Sequence, residues 1–120
     1  MTPARTKFNA VPAIYAGERY DSSGEAEYAQ KLDARQAAGQ ITEWRRGEPW
    51  TLLESPTGRP ADGITMRPDF EVWRPDGSLY VLDFKGAETR EFRLKVKLWK
   101  AVYPGVPFMI VKADGREVPA

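Results

Sequence analysis

The segment MRPDFEVWRPDGSLYVLDFKG, residues 66–86, constrains the fold more than any other part of the chain. Two apolar runs flank the turn sequence RPDG. Pro75 and Asp76 suit the central positions of a type I turn, and Gly77 suits the left-handed position that closes a three-residue loop with a bulge. The sequence therefore predicts a β-hairpin at this place.

The register of this hairpin brings two acids together. The loop pairs Arg74 with Ser78, and counting back along both strands sets Asp69 opposite Asp83. Side chains directly opposite each other have Cβ atoms roughly 4.5–5.5 Å apart, so like charges there repel each other. A slip of one residue would break this pairing.

Alternation along the two strands predicts the surroundings of the acids. Lys85 falls on the same face as Asp69 and Asp83, together with further apolar residues. The opposite face is apolar and belongs to the core. We expect the acidic face to be half covered, with a polar hole around its charges.

The residue types that the chain lacks narrow its chemistry. The 120 residues include no Cys and no His. This composition excludes disulfide frameworks, thiolate metal sites, His-dependent triads and the usual catalytic zinc sites. The net charge of +1 predicts no strong global attraction to nucleic acid, so any such attraction must come from local clustering. There is no apolar run of about 18 residues, and the sequence indicates no membrane partner.

Periodicity and end signals predict one α/β domain with the element order α-β-β-β-α-β. A first helix begins after Ser22, a suitable cap, and ends at Gly39. The segment TREFRLKVKLWKAVY has the apolar stripe of a second helix, and PFMIVKA is typical of a strand buried on both faces. We interpret residues 1–20 as an N-terminal arm and residues 21–120 as a single domain.

Two close carboxylates beside a lysine suit a hard divalent cation. Mg²⁺ prefers carboxylate and water oxygens, and such an ion can activate water and stabilise charge on a phosphate. Lys85 can orient or deprotonate the attacking water, or neutralise the developing charge. The structural alternative is that Lys85 bridges Asp83 while Asp69 caps a loop.

The motif Pro68-Asp69, followed by Asp83-Phe84-Lys85, resembles the signature of the PD-(D/E)XK nuclease superfamily. The resemblance implies a restriction-endonuclease-like α-β-β-β-α-β core with a mixed sheet. It also implies a Mg²⁺ site in which Mn²⁺ substitutes, and Lys85 as the catalytic lysine. The implied metal ligands are Glu25, Asp69, Asp83 and the backbone carbonyl of Phe84.

Two of these implied positions leave alternatives open. Glu25 matches the acid that the superfamily carries on its first helix, but a capping box with Ser22 also explains it, and Glu27 competes for the role. Asp83 stands where many members have Glu. Because Asp is shorter, this departure can shift the metal.

A basic cluster follows the motif on the predicted second helix. A local basic stripe in a nearly neutral protein is what phosphate contact needs, although a solvated helix face explains the same pattern. The candidate DNA-binding residues are Arg90, Arg93, Lys95, Lys97 and Lys100.

The stretch between Asp21 and Tyr103 resembles small phage and prophage nuclease-like proteins, which in turn resemble archaeal-type Holliday junction resolvases. The implied function is a Mg²⁺-dependent, structure-selective DNA endonuclease in the cytoplasm of a bacterial or phage-infected cell. Because one small domain has one metal site, cutting two strands predicts a homodimer. The alternative is a non-catalytic DNA-binding or phage accessory module on a nuclease fold.

Overall fold

The computed structural model describes residues 12–84 and 88–120, which form two helices and a set of short strands. The helices are α1 (Ser23–Ala37) and α2 (Arg90–Val102). The strands are β1 (Ala13–Tyr15), β2 (Glu18–Tyr20), β3 (Glu43–Arg46), β4 (Trp50–Leu53), β5 (Ile64–Met66), β6 (Phe70–Trp73), β7 (Leu79–Phe84), β8 (Phe108–Val111) and β9 (Glu117–Pro119).

The central sheet has five strands in the order β3-β6-β7-β8-β9. Strands β7 and β8 run parallel, and the other neighbours in this sheet run antiparallel. Helix α2 makes the crossover that a parallel pair requires. Two further pairs, β1-β2 and β4-β5, form separate two-stranded sheets. The fold is therefore α+β with a mixed sheet, as the sequence predicts.

The order of elements follows the predicted one with an insertion. Taking α1, α2 and the first four sheet strands in chain order gives α1, β3, β6, β7, α2 and β8, which is α-β-β-β-α-β. The β4-β5 pair is inserted between the first and second of these strands. Strand β5 has three residues, too few for periodicity to indicate it from the sequence.

The turn chemistry of the β6-β7 hairpin is confirmed. The Arg74 N–H donates to the Ser78 carbonyl at 2.8 Å, and the Gly77 N–H donates to the Arg74 carbonyl at 2.9 Å. Gly77 has φ of 87°, the left-handed region that the predicted loop requires. The ladder that follows pairs Phe70 with Leu82, so the next pair outward is Asp69 with Asp83.

Both faces of the central sheet are covered, each by its own apolar cluster. Helix α1 and the β1-β2 pair cover one face, where Phe70 and Leu82 are buried. Helix α2 and the β4-β5 pair cover the other, where Trp99 packs with Val81. This second face is the acidic one, and it is more completely covered than the sequence indicates. Asp69 and Asp83 therefore lie at one end of this covered face, where the β6-β7 ladder ends.

The segment before α1 is partly built into the fold. Tyr20, at the end of β2, is buried in the cluster under α1, and Ala13 and Tyr15 pack against that cluster. The assignment of residues 1–20 to a separate arm stays a prediction, since residues 1–11 lie outside the described part of the chain. Neither described helix combines the length and the apolar character needed to cross a bilayer.

Candidate metal and phosphate site

The two aspartates of the motif are joined at the end of the β6-β7 ladder. The Asp69 N–H donates to Oδ1 of Asp83 at 2.8 Å, and the Phe84 N–H donates to Oδ2 of Asp69 at 2.8 Å. Each carboxylate thus accepts a backbone N–H from the opposite strand, which fixes its orientation. Asp83 is only 5% exposed, and Asp69 is half-buried. The hairpin register therefore delivers the predicted pair of carboxylates.

Helix α1 brings a third acid to the same end of the sheet. The Ser22 hydroxyl accepts the Glu25 N–H at 3.1 Å, so Ser22 caps the helix as predicted. A Cβ built on Gly24 would lie 2.7 Å from the Phe84 ring, so the first turn of α1 approaches the end of β7 closely. Glu25 is 3% exposed, whereas its competitor Glu27 is exposed. Burial at this end of the sheet therefore favours Glu25.

A polar cavity of about 350 Å³, here called the Glu25 cavity, lies between α1 and the loops beside β6. Four of its lining residues are acids and two are arginines. The acids are Asp21, Glu25, Glu48 and Asp69, and the cations are Arg46 and Arg67. Among the described lining residues there is thus an excess of two negative charges.

Tyr20 and Arg46 form one wall of this cavity. The Arg46 guanidinium lies 4.3 Å from the centre of the Tyr20 ring and donates to the Arg19 carbonyl at 2.6 Å. Burial raises the pKa of Tyr20, and the Arg46 charge partly opposes that rise. The Tyr20 phenol therefore stays protonated at neutral pH and can donate a hydrogen bond.

A second cavity of about 210 Å³, here called the Lys95 cavity, lies on the other side of the acid pair. Asp83 and Lys95 line it, and so does Arg67, which also lines the Glu25 cavity. The Lys95 ammonium lies 3.4 Å from the carboxylate of Glu91, one helical turn away; Lys95 is half-buried and Glu91 is exposed. Lys95, a member of the predicted basic cluster, therefore lines the same cavity as Asp83.

The other basic residues of α2 point elsewhere. Arg90, Arg93, Lys97 and Lys100 are exposed, and none of them is among the residues that line the two cavities. Their role in DNA binding stays a prediction.

Part of the predicted catalytic set falls on undescribed residues. Lys85, the predicted catalytic lysine, lies in the gap at residues 85–87. Within residues 12–84 and 88–120, no three acidic side chains form a group that could hold a metal ion. The metal role of Glu25, Asp69, Asp83 and the Phe84 carbonyl accordingly stays a prediction, with the two aspartates as its best-defined part.

Glu71 is a buried acid that the sequence analysis missed. It is 0% exposed and lies on the acidic face, one alternation after Asp69. Its Oε1 accepts from the Arg45 guanidinium at 2.8 Å. Its Oε2 accepts the Glu48 N–H at 2.8 Å and the Trp50 indole N–H at 3.0 Å. Glu71 therefore ties the β3-β4 connection to β6. The available signal was the alternation that places Glu71 on the same face as Asp69.

We expect Glu71→Gln to lower the free energy of unfolding by about 2–4 kcal/mol. The amide has one acceptor oxygen where the carboxylate has two, so its NH₂ group would face either the Arg45 guanidinium or the N–H groups of both Glu48 and Trp50. Urea denaturation at neutral pH measures the change. The matched control is Glu43→Gln, an exposed position on β3, where we expect a change within about 0.5 kcal/mol. Equal midpoints for the two variants would contradict the structural role of Glu71.

The family model described as "Protein of unknown function (DUF1064)" matches residues 5–115. No curated protein matches the chain.

Proposed function

This chain belongs to the DUF1064 family, and we propose that it is a Mg²⁺-dependent DNA endonuclease of the PD-(D/E)XK type. The observation that carries the proposal is the hydrogen-bonded pair of Asp69 and Asp83 at the end of the β6-β7 ladder. Asp69 follows the proline of the motif, and Asp83 precedes Lys85 by two residues. The α-β-β-β-α-β order of the sheet and its helices supports the same assignment.

The charge of the site fits a divalent cation. The described lining of the Glu25 cavity carries two more negative than positive charges. A phosphodiester is itself an anion, so this cavity repels it unless a cation compensates. Mg²⁺ commonly uses only one or two carboxylates, keeps several waters and shares substrate phosphates. Asp69 and Asp83 are therefore a sufficient protein contribution in this proposal, and Glu25, which lines the same cavity as Asp69, can accept a hydrogen bond from a water of the ion.

The residues of the chain have distinct tasks in this proposal. Asp69 and Asp83 hold the ion, and their backbone hydrogen bonds keep the two carboxylates in place when substrate arrives. When bound, the ion stabilises the charge that develops on the phosphate. Lys85 orients the attacking water or neutralises the phosphate oxygens. Arg46, Arg67 and Lys95 supply positive charge around the acids.

The substrate we propose is branched DNA, cut as in a Holliday junction. One domain with one site cuts one strand, so symmetric cutting needs two copies related by a two-fold axis. We therefore propose a homodimer.

The test is a cleavage assay with labelled four-way junctions, matched duplexes and single strands, each with Mg²⁺, with Mn²⁺ and with EDTA. We expect cleavage of DNA with either metal and none in EDTA. Preferential cutting of the junction would support the resolvase-like substrate, and equal cutting of junction and duplex would refute it. The absence of metal-dependent cleavage on every substrate would overturn the proposed activity. Salt-dependent DNA binding without cleavage would instead favour the non-catalytic module.

A further inference from the structure

Among the described residues that line the candidate site, Arg67 is shared by both cavities. The Glu25 cavity contains Asp69 and the Lys95 cavity contains Asp83. Since these two aspartates are hydrogen-bonded partners, the cavities flank the acid pair on its two sides. Arg67 thus stands beside the acids and reaches both flanking spaces.

The residues on either side of Arg67 fix the position of its Cα atom. Met66 is 5% exposed, and Pro68 is fully buried. The residue before a proline is restricted to extended conformations, so Pro68 further limits Arg67. Arg67 itself is exposed, and among the described residues it makes no ion pair. The buried neighbours fix the position of the Arg67 Cα, and the planar guanidinium loses less freedom per hydrogen bond than a lysine ammonium does.

The neighbouring cations extend this positive charge in two directions. Arg46 lies in the Glu25 cavity, and Lys95 lies in the Lys95 cavity. Lys95 is half-buried, but its partner Glu91 is exposed and the two groups lie 3.4 Å apart, so the pair contributes little and a phosphate can replace Glu91 as the partner of Lys95. The two cavities beside the acid pair are therefore each lined by two of these three cations, and Arg67 is common to both.

We propose that one DNA strand crosses the acidic end of the sheet from the Glu25 cavity to the Lys95 cavity, with Arg67 binding a phosphate next to the Asp69–Asp83 pair. Its guanidinium donates paired N–H groups to phosphate oxygens, a geometry that lysine cannot reproduce. This inference rests on the proposed function. It goes beyond it by assigning the strand path to these three cations rather than to the outer face of α2.

The experiment is fluorescence anisotropy of a labelled four-way junction in Ca²⁺ across a salt series, with a gel check that the DNA stays intact. We compare Arg67→Gln with Arg59→Gln. Arg59 is the matched control because its side chain is 80% exposed in the loop at the far end of the β4-β5 pair. Both variants remove one charge, and neither removes a buried contact.

We expect Arg67→Gln to weaken binding about tenfold and to reduce the slope of log K against log salt by about 1. Arg59→Gln should match the wild type. Arg67→Lys should keep the wild-type slope but bind DNA more weakly. If Arg67→Gln does not fold, the comparison of Arg67→Lys with the wild type tests whether Arg67 binds a phosphate. Equal affinity and slope for Arg67→Gln and Arg59→Gln would overturn this inference alone, as would an Arg67→Lys that binds like the wild type. A wild-type chain that binds no DNA would overturn the proposed function and this inference with it.

Discussion

Asp83→Asn is expected to lower the rate of DNA cleavage about 10³-fold. A bound metal contributes several kcal/mol to the stabilisation of a phosphate transition state, and each 1.36 kcal/mol corresponds to about tenfold in rate. The amide keeps Oδ1 as an acceptor for the Asp69 N–H, so the hairpin end stays in place while the ligand charge is lost. Single-turnover cleavage in saturating Mg²⁺ measures the rate.

The matched control for this variant is Asp62→Asn. Asp62 lies in the exposed loop before β5, away from the acid pair, and it should keep the wild-type rate. Binding of DNA to Asp83→Asn separates loss of chemistry from loss of substrate. A variant that cleaves as fast as the wild type would remove Asp83 from the catalytic set.

Gly47→Ala is expected to lower the free energy of unfolding by about 3 kcal/mol and to reduce cleavage as well. A Cβ on Gly47 would lie 1.7 Å from the Pro68 carbonyl oxygen. Because this oxygen belongs to the backbone, it cannot move away as the end of a flexible side chain can. The Gly47 N–H also donates to the Asp69 carbonyl at 3.1 Å. Relief of the clash must therefore shift the Pro68–Asp69 backbone, which carries the first acid of the pair.

Gly105→Ala is the control for this effect. A Cβ on Gly105 meets no atom within 4 Å, so the added methyl should leave stability unchanged or raise it by a few tenths of a kcal/mol. Thermal and urea denaturation of both variants measure the difference. A Gly47→Ala protein as stable as Gly105→Ala would show that the 45–48 segment does not brace the acid pair.

The pairing of Asp69 with Asp83 could be predicted from the sequence because it depends on a turn and a hairpin register that are local in the chain. The RPDG turn fixes the loop, the loop fixes the register, and the register alone places Asp69 opposite Asp83. The cap at Ser22 is equally local, since it involves residues three apart. Each of these inferences needs only neighbours along one helix or one hairpin.

The walls of the site depend on distant parts of the chain. The Glu71 carboxylate accepts hydrogen bonds from donors that lie 21 to 26 residues away along the chain, and no periodicity in the sequence indicates those donors. Arg46, at the end of β3, and Arg67, in the connection between β5 and β6, line the same cavity, and only the assembled fold brings them together. The strands β2, β5 and β9 have three residues each, too few for a pattern to predict them. Sequence reasoning therefore recovered the centre of the site but not its surroundings.

Calorimetric titration of Mn²⁺ into the protein tests most directly whether the acid pair holds a divalent cation. We predict saturable binding to the wild type, and no saturable binding to a variant in which Asp69 and Asp83 are both replaced by Asn. Circular dichroism of that double variant checks that it is folded. A folded wild type that takes up no Mn²⁺, or a double variant that binds it as tightly as the wild type, would contradict the account.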